Sequence, residues 1–104
     1  MIRPFHLAIP ATNLEISKIF YTNVLGCSIG RSSDKWIDLN FFSHQLVLHQ
    51  SNINHNNITN SVDKHDIPIP HFGVILEYNQ WKNFSKKIKD KIKFIIEPYI
   101  RFKG

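Results

Sequence analysis

The chain has 104 residues, 42% of them hydrophobic and 20% charged, with a formal charge of +5 and a pI near 9.5. That length supports one domain with a modest core, and the composition is too apolar for a disordered chain. No apolar run approaches the roughly 20 residues that span a bilayer, and a single cysteine, Cys27, excludes an internal disulfide.

Met1-Ile2-Arg3-Pro4 leads directly into a strand, so no signal peptide and a cytoplasmic location are expected. Residues 3–9 read as that strand, with His6 and Ala8 on one face and Leu7 and Ile9 on the other. A first helix follows. Thr12 as N-cap with Glu15 three residues on makes a capping box. Ile16, Ile19, Phe20 and Val24 recur at helical spacing and predict a buried stripe. Gly26 ends the helix where a left-handed residue is wanted. A second strand fits residues 27–31. Trp36 to Phe41 alternates, Ile37, Leu39 and Phe41 against Trp36, Asp38 and Asn40. Gln45 to His49 alternates again, Leu46 and Leu48 against Gln45, Val47 and His49, with Phe42-Ser43-His44 as the turn between them. Residues 1–50 therefore read as a β-α-β-β-β module.

Residues 51–66 are polar and rich in asparagine, which predicts a linker loop. The remaining stretch, 67–104, reads as a second, incomplete module. Pro70 to Leu76 has strand character, with His71, Gly73 and Ile75 facing one way and Phe72, Val74 and Leu76 the other. A helix is predicted over 79–90, capped by Asn79, with Trp81, Phe84 and Ile88 as its apolar stripe. Ile92 to Ile96 reads as a further strand. Lys82, Lys86, Lys87, Lys89, Lys91 and Lys93 cluster here. They come without an arginine cluster or a nucleic-acid motif, so a solvated helix face is expected rather than a nucleic-acid or membrane partner.

The two halves match. His6 and His71 are offset by 65 residues, and Phe20 and Phe84 by 64, a near-constant spacing that marks an internal repeat. The expected fold is α+β, one domain over 1–104 built from paired βαβββ modules, the second truncated. In each half a histidine opens the first strand and a very small residue, Ala8 or Gly73, follows two positions on. A single histidine on an apolar strand is usually a packed or edge residue. A repeat-matched pair points instead to metal ligation where the copies meet. His49 shares the face of Gln45 and Val47, and is either a further ligand or a group that exchanges protons with substrate. His44 is the reserve if the register slips by one. His55 and His65 are read as solvated. Cys27 has no basic partner nearby and is read as packing.

Phe5-His6-Leu7-Ala8-Ile9-Pro10, Leu14-Glu15 and Phe20-Tyr21-Thr22-Asn23-Val24-Leu25-Gly26 resemble the vicinal oxygen chelate superfamily, which includes glyoxalase I, extradiol dioxygenases and bleomycin-resistance proteins. Gly30 to Asp38, Phe41 to Gln45 and Glu97 to Gly104 look most like its subgroup of predicted extradiol-type dioxygenases. The resemblance covers nearly the whole chain. It implies a divalent metal held by His6 and His71, Fe(II) first and Mn, Zn or Ni as alternatives, together with a carboxylate from the last strand of the second half. This sequence is expected to stop before that strand. Two imidazoles and a carboxylate form a facial triad with open positions, which suits a small substrate that chelates through adjacent oxygens. The implied activity is a metal-dependent dioxygenase. A glyoxalase I-like lyase and a non-catalytic small-molecule-binding protein or inactive fragment are the alternatives. Exposed strand edges would favour a homodimer.

Overall fold

β1 (His6–Ala11), β2 (Ser28–Ser32), β3 (Trp36–Phe41) and β4 (His44–Gln50) form a mixed sheet in the order β1-β4-β3-β2. β3 pairs antiparallel with both neighbours, and β1 runs parallel to β4. The computed structural model describes residues 3–53, 58–62, 64–94, 98 and 99, divided into two compact units, Met1–His55 and Asn56–Gly104. The architecture is α+β, as the alternation of apolar residues predicts, and the first unit is the expected βαβββ module. No helix among the described residues is long and apolar enough to cross a membrane.

Alternation decides which face of the sheet is covered. Leu39, Leu46 and Leu48 are almost fully buried, and with Ala11, Cys27 and Ile37 they form the core of the first unit. Burying each leucine contributes about 1.5–3 kcal/mol. Against them pack Leu7, Ile9 and Phe41 from the sheet, and Leu14, Tyr21 and Leu25 from the helical segment. The other parity leaves His6, Ala8, Asn40, Gln45 and His49 exposed, with Trp36 and Asp38 half-buried and Val47 buried.

The helical segment departs from expectation in two ways. It consists of α1 (Leu14–Ile19) followed directly by a π-helical stretch, Phe20–Val24, in which the Leu25 amide reaches back to the Phe20 carbonyl. Of the expected stripe, Ile16, Ile19 and Phe20 are exposed and Val24 is half-buried; the half-buried Leu14, Tyr21 and Leu25 pack on the core instead. Both sets fit the helical period, and the anchorage of the helix start selects between them. The cap is Asn13 rather than Thr12: its side-chain oxygen accepts from the Ile16 amide at 3.0 Å. Thr12 and Leu14 are instead held by Gln50 of β4, which fixes the rotation of the helix. Gly26, at φ 79°, ends the segment as the sequence implies.

The β3–β4 link is tighter than expected. Phe41 pairs with His44, leaving Phe42 and Ser43 as a two-residue turn, both at positive φ. The Ser43 amide donates to Asn40 Oδ1 at 2.9 Å, which holds the turn closed.

In the second unit, the stretch read as a linker over 51–66 contains a strand and the start of another. β5 (Ile58–Val62) and β6 (His65–Ile69) form an antiparallel hairpin, and because Val62 pairs with His65 only two residues join them, Lys64 at φ 66°. β5 is largely polar, and β6 has a proline within it, Pro68, paired with Thr59, so neither carries the apolar run that marks a strand in sequence. Residues 71–77, by contrast, form no strand. Val74 and Leu76 are half-buried and Ile75 is fully exposed, as the alternation predicts, but among the described residues the segment has no ladder partner. α2 (Tyr78–Ile88) is capped by Glu77 rather than Asn79, in a reciprocal box with Gln80. Its stripe is the expected one: Ile88 is buried, Trp81 and Phe84 are half-buried, and the lysines are exposed. Residues 93 and 94 are not in a strand, and the rest of the strand expected over Ile92 to Ile96 includes positions outside the described residues.

Candidate functional site

His6 opens β1 on the exposed face of the first sheet. The preceding residue, Phe5, is pinned to β4 twice. The Phe5 carbonyl accepts from the Gln45 amide at 2.8 Å, and the Phe5 amide donates to His44 Nδ1 at 2.7 Å. His44 therefore occupies the opposite parity from Gln45 and spends its Nδ1 on the backbone, and the register has not slipped. In the parallel ladder His6 stands directly beside Gln45, and His6 Nδ1 donates to Gln45 Oε1 at 2.9 Å. With that nitrogen carrying the proton, Nε2 carries the lone pair.

His71 lies in the second unit, three residues past Pro68. Its Nδ1 donates to the Pro68 carbonyl at 2.8 Å. A carbonyl oxygen can only accept, so Nε2 is again the bare nitrogen. The two histidines thus share one tautomer, obtained from different partners. Gly73 borders open space, since a Cβ there would meet no atom within 4 Å.

His49 is on the same face as His6, between Pro10 of β1 and Trp36 of β3. It lies four residues beyond Gln45 on β4, roughly 13 Å along the strand at ~3.3 Å per residue. Two rings standing off one sheet at that separation do not reach a common ion. Between them lie Ala8, Val47 and Asp38 in neighbouring register. Arg31 approaches Asp38 at 3.9 Å. A hollow of about 510 Å³ on this unit is lined in part by Gly30, Arg31, Asp38, Asn40, His44 and Gln45. Among the described residues, no group of three or more His, Cys, Asp or Glu side chains converges on one point.

Cys27 is buried and its thiol is pushed above the usual range by that burial. This agrees with packing rather than nucleophilic chemistry. The Tyr21 hydroxyl is raised too, first by burial and then by the neighbouring Cys27. The residue that reading the sequence missed is Gln45. Its only signal is an amide on the same strand face as His49, and its pairing with His6 depends on β1 running alongside β4, which local patterns do not report.

No family model and no curated protein matches the chain. Among solved structures, it is similar to a glyoxalase/bleomycin resistance protein/dioxygenase from Alicyclobacillus acidocaldarius, at 33% identity and a TM-score of 0.79 over 98% of this chain and 74% of that one. An integron cassette protein from the mobile metagenome of the Halifax Harbour sewage outfall shares the fold at 24% identity and a TM-score of 0.65, covering 88% of this chain and 72% of that one. Another, from the mobile metagenome of V. cholerae, shares it at 18% identity and a TM-score of 0.58, covering 100% and 78%. On the sheet topology and the first of these likenesses, the chain belongs to the glyoxalase/bleomycin resistance protein/dioxygenase family, within the vicinal oxygen chelate superfamily.

Proposed function

We propose that the chain is a metal-dependent enzyme of the extradiol-dioxygenase type, acting on a small substrate that binds through adjacent oxygens. The observation that supports this reading is the shared tautomer of His6 and His71. Each spends Nδ1 on a fixed acceptor and leaves Nε2 bare, the state in which imidazole ligates a metal. The donor chemistry fits a divalent ion, Fe(II) first, with Mn, Zn or Ni as alternatives. Such an ion, when bound, would polarise a chelating substrate and hold dioxygen beside it.

The chain's own residues divide the remaining work. His6 and His71 supply two nitrogen donors. His49 stands too far along β4 to share an ion with His6, and in this reading takes a proton from the far side of the substrate. Ala8 and Val47 floor the space between, presenting no polar group that would compete with the substrate. Asp38 and Arg31 give that space a polar wall. The expected partner is a small molecule.

A second reading, binding without chemistry, is favoured by one observation: among the described residues no three His, Cys, Asp or Glu side chains group together. The relative's printed name includes bleomycin resistance, in keeping with such a role. The test is a Co(II) and Fe(II) titration of the chain and of its His6→Ala and His71→Ala forms, followed by oxygen uptake across a panel of catechols. Loss of affinity in both variants, with uptake by the parent chain, supports the enzyme. Unchanged affinity in both overturns the metal centre. Metal binding without uptake moves the function to a lyase or a binding protein.

A further inference from the structure

We infer that Gln45 is the positioning residue of the candidate metal centre, setting the tautomer of His6 and aiming its Nε2. The inference rests on the reading of His6 as a ligand and adds how that ligand is prepared. Free histidine favours the Nε2–H form, in which the nitrogen best placed for ligation from a strand is blocked. Something must reverse that preference at His6, and the structure offers one group in position. Gln45 is the register partner of His6 in the parallel ladder, and its Oε1 is 2.9 Å from Nδ1.

The pair is held from the backbone as well as through its side chains. The Gln45 amide donates to the Phe5 carbonyl at 2.8 Å, so the residue that orients the ring also fixes the strand beneath it. On its other side Gln45 pairs with Asn40, whose own side chain is committed to the Ser43 amide. Asn40 Oδ1 thus accepts from the turn, while Gln45 Oε1 accepts from His6. An amide is a particular choice for this task. It accepts the Nδ1 hydrogen as a carboxylate would, but adds no negative charge beside the imidazole. His71 receives the same treatment from the Pro68 carbonyl, another neutral acceptor. Both histidines are thus prepared as neutral donors by neutral partners.

The test compares Gln45→Met, which keeps the length and removes the acceptor, with Gln45→Glu, which keeps an acceptor. Gln45 is exposed, so neither change disturbs the core. The first readout is the ring ¹⁵N spectrum of His6 in metal-free protein. The Nδ1–H form is expected in the parent and in Gln45→Glu, and a shift toward Nε2–H in Gln45→Met. The second is Co(II) affinity, expected to fall roughly 10–100-fold in Gln45→Met and to be restored in Gln45→Glu. An unchanged His6 spectrum in Gln45→Met overturns the assignment. His6→Ala is titrated alongside. If it binds Co(II) as the parent does, the reading of His6 as a ligand fails, while the spectra still report separately whether Gln45 governs the ring.

Discussion

Gln50, the last residue of β4, grips Thr12 at the entry to the first helix: its Nε2 donates to the Thr12 carbonyl at 2.7 Å. The same side chain accepts from the Leu14 amide through Oε1 at 3.1 Å. One amide thereby satisfies a free helix-start donor and ties it to the sheet. Gln50→Leu is expected to cost about 1–3 kcal/mol, two exchanged hydrogen bonds at roughly 0.5–1.5 kcal/mol each. It should also speed hydrogen exchange at Leu14. Equal urea midpoints for the two proteins would show that the clamp contributes nothing.

The β3–β4 turn places Phe42 at φ 49° and Ser43 at φ 68°. A side chain in the left-handed region costs of order 1–2 kcal/mol, and glycine avoids it. Ser43→Gly keeps the backbone amide that donates to Asn40. It is therefore expected to raise stability by about 1 kcal/mol, seen as a higher thermal midpoint. A lower midpoint would mean that the serine side chain makes a compensating contribution.

Two apolar residues with similar sequence credentials should respond very differently to truncation. Leu48 has 0% of its surface exposed, and Ile16 has 64%. Leu48→Ala is expected to cost about 2–5 kcal/mol, transfer and cavity together. Ile16→Ser is expected to change stability by no more than ~0.5 kcal/mol. Denaturant unfolding of the two variants measures both. A large loss at Ile16 would return it to the core.

Alkaline pH should weaken the first unit. Tyr21 and Cys27 both hold their protons more tightly in the folded chain than in the unfolded one, chiefly because burial disfavours their charged forms. For an acid raised in this way, the stabilisation is complete below its unfolded value. It is lost as pH rises from there through the folded value. The unfolded values are about 8.5 for cysteine and 10 for tyrosine, so the decline should begin near pH 8.5 and steepen above pH 10. Urea midpoints from pH 7 to 11 should fall less in the double variant Tyr21→Phe, Cys27→Ala. Parallel curves for the two proteins would exclude these groups as the cause.

What the sequence reveals follows the range of the interaction. The parity of β1, β3 and β4 was legible because alternation of apolar residues is local, and it correctly put His6 and His49 on the face opposite Leu46 and Leu48. The helix stop at Gly26 was legible because one backbone conformation demands it. The orientation of the first helix was not. Ile16-Ile19-Phe20 and Leu14-Tyr21-Leu25 both fit the period, and Gln50, 36 residues from Leu14, decides. Residues 58–66, which hold β5 and the start of β6, carry too few apolar residues to mark a strand, so their sequence reads as loop. Residues 71–77 show the converse failure: the right side-chain pattern without a partner strand among the described residues. The matched histidines were visible, but the acceptors that set their rings, Gln45 and the Pro68 carbonyl, emerge only from backbone geometry.

The parallel pairing of β1 with β4 also has a consequence in time. The β3–β4 hairpin closes across two residues, whereas joining His6 to Gln45 closes a chain segment 39 residues apart. Short loops close at lower entropic cost and nonlocal ladders form late. The chain should therefore zip β3 onto β4 first, add β2 through its short link, and dock β1 last. Until that final step His6 is an ordinary solvated imidazole, free to take either tautomer. The ring geometry set by Gln45 is thus a property only of molecules that have finished folding. A partly folded chain would display the hairpin, the turn and most of the core while the His6 ring still lacked its Gln45 acceptor.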